Sequence, residues 1–201
     1  MRRLSHNGTE VATYEEQEKC LANPVLAPGG LLFCVSYDAD DTEQDEIIAL
    51  DAQTLEPRYR FGRSLLNDAC HMAVVGEELF VCDRDNDRLQ VFSLAGEHRR
   101  SITGEWTKPA LLCFAKDRLY LVEEEEGEDE EDEEEGEGED GMQDNPRGKR
   151  IFVLSLQGDT LQVFTLPDAQ VILSLCCFDN QLLVTCRSQA DERAMLALSG
   201  V

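Results

Sequence analysis

Four short strand-like runs of apolar residues resemble one another along the chain: LLFCVSY from Leu31, ELFVCDR from Glu78, RLYLVEE from Arg118 and QLLVTCR from Gln181. Each follows a turn signal, namely Gly29-Gly30, Gly76-Glu77, Lys116-Asp117 and Asp179-Asn180. An apolar run precedes each turn: PVLA from Pro24, HMAVV from His71, LLCFA from Leu111 and LSLCCF from Leu173. A third run follows, EIIALD from Glu46, RLQVFSL from Arg88, RIFVLSL from Arg150 and RAMLALS from Arg193. A more polar fourth closes the first three units, as LEPRYRF from Leu55, EHRRSI from Glu97 and DTLQVF from Asp159. Each unit therefore predicts four antiparallel strands graded from apolar to polar, the first lining a common axis and the last meeting solvent.

Leu32, Leu79, Leu119 and Leu182 are equivalent in this alignment, so the third interval is the longest of the three. Positions 123–149 interrupt that interval, and without them it matches the other two closely. A period of about 40 with short strands indicates a β-propeller. The expected fold is all-β, a single domain over residues 1–201 with about four blades at 22–62, 68–104, 109–166 and 171–201. The last unit stops after its third strand, and the segment 8–17, with Val11 and Thr13 alternating, is expected to complete it by strand exchange.

Residues Leu79 to Pro109 carry Asp83, Asn86, Arg88, Leu89, Gln90, Val91, Phe92, Gly96, Gly104 and Pro109 in an order that resembles an NHL repeat. Arg150 and Arg193 keep the Arg in later units, while Glu46 replaces it in the first. Ser36, Glu123 and Cys186 stand where Asp83 stands. An Asp ending one strand and an Arg opening the next are expected to pair across the loop as a structural staple. The resemblance implies a wheel commonly of six blades, on the order of 240 residues at this period. Either a small closed ring, an incomplete six-bladed wheel or an assembly with another chain fits the length.

Charge changes this picture in one place. The 201 residues (22.6 kDa) carry 42 Asp+Glu against 18 Lys+Arg, a formal net charge of −24. Fifteen of the acids lie between Glu123 and Asp140, where no base occurs, so the rest of the chain is only mildly acidic. This balance opposes nucleic-acid phosphate binding. The run includes Glu123, Glu124, Glu125, Glu126, Glu128, Asp129, Glu130, Glu131, Asp132, Glu133, Glu134 and Glu135. Residues 123–149 are expected to be a disordered acidic insertion projecting from one rim, beside the loops Asp38–Glu46 and Asp83–Asp87. Such a rim would attract a basic protein partner through a salt-sensitive field.

Other candidate chemistry is sparse. The oxygen-rich loops Asp83–Asp87 and Asp38–Asp41 lack the Gly and distal Glu of a calcium loop, and Arg84 and Arg88 neutralise the first. Cys113 and Cys176 occupy equivalent inner-strand positions with His71 nearby, but no CxxC spacing exists, so the eight cysteines read as reduced core thiols. Phosphate loops, GxSxG elbows and HExxH pairs are absent from the sequence. No apolar stretch reaches the length of a membrane span or a signal-peptide core, which suggests an intracellular protein, cytoplasmic or nuclear. Neither catalytic nor cofactor or metal-binding residues are assigned. The expected function is a non-enzymatic binding scaffold for protein. The rivals are a propeller lyase or hydrolase with a channel-mouth site, and an acidic chaperone-like binder of basic proteins through residues 123–140.

Overall fold

A computed structural model describes residues 1–16, 19–38, 41–124, 147–166, 170–178, 181–188 and 193–198. Two short strands open the chain, β1 (Arg2–Leu4) and β2 (Glu10–Thr13), paired only with each other. The first four-stranded sheet follows as β3 (Cys20–Ala27), β4 (Leu31–Asp38), β5 (Asp41–Asp51) and β6 (Pro57–Phe61). The second is β7 (Ala69–Val75), β8 (Glu78–Asp83), β9 (Arg88–Ser93) and β10 (His98–Thr103). The third is β11 (Pro109–Ala115), β12 (Arg118–Glu124), β13 (Arg147–Leu154) and β14 (Thr160–Thr165). A three-stranded sheet ends the described chain: β15 (Gln170–Phe178), β16 (Gln181–Ser188) and β17 (Arg193–Leu198). All pairings are antiparallel meanders, and these sheets are four blades of a β-propeller.

Equivalent residues hold equivalent registers. Leu32, Leu79, Leu119 and Leu182 lie opposite Leu50, Phe92, Leu154 and Leu198, at the start of the second strand and the open end of the second hairpin in each blade. Local chemistry sets the turns: Lys116 and Asp117 both adopt left-handed φ values of 48° and 58°, the geometry a two-residue hairpin needs. The two motif glycines have distinct reasons. Gly96 sits at φ +87° with its missing Cβ 2.8 Å from the Phe61 ring, and a Cβ on Gly104 would fall 1.8 Å from the ring of buried Trp106.

The two-residue alternation of each second strand feeds two cores at once. In β8, Leu79 and Val81 pack back against the first blade with Phe33, Val35 and Ile47, while Phe80 and Cys82 pack forward against Leu112, Leu119 and Leu121. In β12, Tyr120 and Val122 go forward in turn, to meet Ile172, Leu182 and Val184. Three inter-blade cores result.

In the first blade the backward-facing residues are Leu32 and Cys34, and with Ile48 and Leu50 they are covered by Met1 and Tyr14. The N-terminal hairpin thus stands where a preceding blade would. Residues 8–17 do not complete the fourth blade: Glu10 to Thr13 pair with Arg2 to Leu4, and β17 has no outer partner among the described residues. The physical reason is local, since Met1 and Tyr14 bury apolar surface at the first blade, and the Arg3 guanidinium donates to the Gln53 carbonyl there at 2.5 Å. The forward face of the fourth blade carries polar Thr185 and Ser174, hydrogen-bonded to each other at 2.7 Å, and Met195 at 69% exposure. Among the described residues no hydrophobic core forms on this face.

The insertion is also narrower than its composition suggests. Glu123 and Glu124 are buried strand residues, and Arg147, Gly148 and Lys149 belong to β13, with Glu124 opposite Arg147. Residues 125–146 lie outside the described residues.

Candidate functional site

At one rim, around the described loop Arg84–Asp87 and the described segments that enter the first three inner strands, charged side chains form several linked groups. Asp83, fully buried, accepts from the Asn67 backbone N–H (2.8 Å), Asn86 Nδ2 (2.9 Å), Arg88 Nε (2.7 Å) and Gln90 Nε2 (3.1 Å). It therefore ties the entry loop, the hairpin loop and two strands of one blade together. Four donors on one carboxylate also leave no free lone pair for a cation. In the third blade Glu123 repeats the arrangement, accepting from Arg150 Nε and from the Thr107 N–H at 3.2 Å. The longer side chain reaches across the register shift between Val122 and Glu124.

The first blade keeps the function with other residues. Ser36 stands where Asp83 stands, and it donates to a carboxylate brought from the entry loop, Glu16, at 3.0 Å. Arg60 on the outer strand bridges Glu16 (2.8 Å) and Glu46 (2.9 Å), and Lys19 reaches Glu46 at 3.1 Å. Burial alone would raise the Glu46 carboxyl, but Lys19 and Arg60 outweigh it and hold it below the usual range. For Arg193 the structure describes the backbone only, where it lies opposite Arg187 rather than Cys186.

Further contacts on this rim join neighbouring blades. Asp45, 1% exposed, accepts from the Ala69 N–H at 2.6 Å. The Lys108 N–H donates to Asp87 at 2.7 Å, and Arg84 bridges Asp68 and Glu124, the latter at 3.2 Å. Burial, reinforced by Asp68 and Asp83, pushes the Asp45 carboxyl up to about 6, and its Oδ1 has no partner. Sequence reasoning missed Asp45, Asp68, Glu16 and Arg60, because nothing in their local pattern distinguishes them from solvated loop charges. Only the repeat alignment, which leaves Ser36 without a carboxylate, hinted that one must come from elsewhere.

The rim acids at described positions are thus largely neutralised by Lys19, Arg60, Arg84, Arg88 and Arg150. Of the run taken as a partner-binding rim, Glu123 and Glu124 are turned inward and paired. Glu125, Glu126, Glu128, Asp129, Glu130, Glu131, Asp132, Glu133, Glu134 and Glu135 fall outside the described residues. The chain leaves the rim after Glu124 and returns at Arg147, directly opposite on the neighbouring strand.

A second feature lies on the axis. The four inner strands line a cavity of about 350 Å³ that includes Asn23, His71, Leu112, Cys113, Cys176 and Cys177. His71 Nδ1 donates to the Leu112 carbonyl at 2.9 Å, joining the inner strands of blades two and three. Cys113 and Cys177 place their sulfurs 3.2 Å apart across blades three and four. Among the described residues no group of three or more His, Cys, Asp or Glu side chains is placed to hold a metal ion. Nor is any described helix long and apolar enough to cross a membrane.

No family model matches the chain, and no curated protein sequence does. Solved structures do. A chain of the nidogen/laminin complex superposes with a TM-score of 0.65 at 15% identity, over 97% of this chain and 73% of that one. Virginiamycin B lyase from Staphylococcus aureus gives 0.61 at 10% identity, over 98% and 62%. The computationally designed Ika8 protein gives 0.60 at 11% identity, over 96% and 50%. The chain therefore spans between half and three quarters of the length of these structures. At such identities the likeness concerns the fold alone, and with the blade geometry it defines a β-propeller repeat protein.

Proposed function

We propose that the chain is an NHL-type propeller acting as a non-enzymatic scaffold, and that residues 125–146 recruit a basic protein partner to its rim. What carries this reading is that the insertion departs and returns at adjacent rim positions, Glu124 and Arg147, on a blade whose four-stranded order and core are intact. Positions 125–146 are rich in Asp and Glu and contain no base, so they concentrate negative charge in one interval. The NHL assignment rests on the Asp83–Arg88 pair with Gly96 and Gly104, each with a structural reason at its position. Cys34, Cys82 and Cys186 are buried in the cores as small apolar residues, which supports the reading of reduced thiols in an intracellular setting.

Binding of a fluorescent Lys/Arg-rich peptide measured against salt tests the proposal. Wild type should bind with an affinity that falls at least about tenfold between about 50 and about 200 mM salt, and replacement of residues 125–146 by a Gly/Ser linker of equal length should abolish binding without changing the melting temperature. Equal binding by the two proteins refutes it and leaves the insertion as a spacer.

A further inference from the structure

The axial cavity brings together two thiols from different blades, at the margin of the core between blades three and four. Cys113 on β11 and Cys177 on β15 come from the inner strands of different blades, 64 residues apart in sequence, yet their sulfurs lie 3.2 Å from each other. A disulfide needs about 2.05 Å, so each sulfur has to move only about 0.6 Å, within reach of a small side-chain rotation. Both are partly exposed and line the cavity, so a small oxidant has access. Other thiols are engaged differently. Cys70 directs its sulfur to the carbonyls of Pro109 and Ala110, while its neighbour Cys82 is fully buried, and Cys34 and Cys186 also lie within cores.

We propose that Cys113 and Cys177 form a reversible disulfide on exposure to a small disulfide oxidant, clamping the fourth blade to the third across the axial channel. The less buried Cys177 thiolate attacks one sulfur of oxidised glutathione, releasing one glutathione thiolate. Cys113 then attacks the Cys177 sulfur of the mixed disulfide and releases the second. Two thiol protons pass to solvent, and the two electrons lost by the pair reduce one oxidised glutathione to two reduced molecules. Burial raises both thiols above the ordinary cysteine range, so the reaction is slow at neutral pH and accelerates in alkaline buffer. The fourth blade is the one such a bond would hold best. Among the described residues it has three strands and a packed core with blade three only. A crosslink closing a loop of this length therefore resists its detachment.

The whole chain is incubated with oxidised glutathione at about pH 8.5 and analysed without reduction. The free-thiol count should fall by two, non-reducing peptide mass mapping should join Cys113 to Cys177, and the melting temperature should rise by at least about 5 °C, reversibly with dithiothreitol. Cys176→Ser should behave as wild type, whereas Cys113→Ser and, independently, Cys177→Ser should show none of the three changes. Eight thiols surviving oxidation, a bond through Cys176, or a Cys113–Cys177 bond without a rise in melting temperature overturns the proposal.

Discussion

Replacing Asp83 by Ala removes a carboxylate that four donors share, and its cost follows from what each donor is left with. The Asn67 backbone N–H loses a 2.8 Å bond at a part-buried site, about 1–2 kcal/mol. Gln90 Nε2 is buried but keeps a second acceptor, the Leu65 carbonyl at 3.3 Å, so its loss amounts to about 0.5 kcal/mol. Asn86 is exposed and turns to water. The Arg88 side chain is 30% exposed and also holds the Leu65 carbonyl, so its loss is discounted to about 1 kcal/mol. Together these come to about 3 kcal/mol, or about 6–12 °C in melting temperature for a domain of this size. Urea titration at constant m-value measures it. Arg88→Met should cost about half as much, because Asp83 keeps three neutral donors, and the double variant should cost less than the two single variants combined. A loss below about 1 kcal/mol for Asp83→Ala, or strict additivity with Arg88→Met, would falsify the view that this side chain ties the blade together.

Tyr14→Ala should lower the melting temperature by several degrees by uncovering Cys34, Ile48 and Leu50, whereas Val11→Ser on the exposed side of the hairpin should leave it within about 1 °C; equal effects at both positions would mean that the hairpin does not cap the first blade. Asp45 titrates at about 6 in the folded chain, above its unfolded value, so the native state takes up its proton first; stability from this group grows as pH falls from about 7 toward about 4 and is lost as pH rises through about 6. Urea midpoints across that range should show this slope in wild type and lack it in Asp45→Asn, and parallel profiles for the two proteins contradict the assignment.

The strand runs were legible because the second strand of these blades buries both faces and so reads as an unbroken apolar run bounded by turn signals, as in LFVCD, LYLVE and LFCVS. The Asp83–Arg88 contact was legible because a hairpin register fixes which residues face each other. Glu123 and Glu124 were misplaced because composition cannot distinguish a glutamate that finds Arg150 or Arg84 from one that meets only water. The N-terminal hairpin was misassigned because a spare strand and a missing strand are complementary on paper. The partner that β2 takes depends on where Met1 and Tyr14 find apolar surface.

By itself, then, the sequence determined a repeating four-stranded unit, its turns, and an excess of negative charge concentrated in one interval. These are local properties, set by apolar runs and turn chemistry within about 40 residues. Tertiary structure alone decided which charges are buried and paired, that a hairpin covers the first blade, and that Cys113 meets Cys177 at the axis. Each of those depends on groups far apart in the chain, whose encounter is set by blades packing side by side, and no local pattern carries that information.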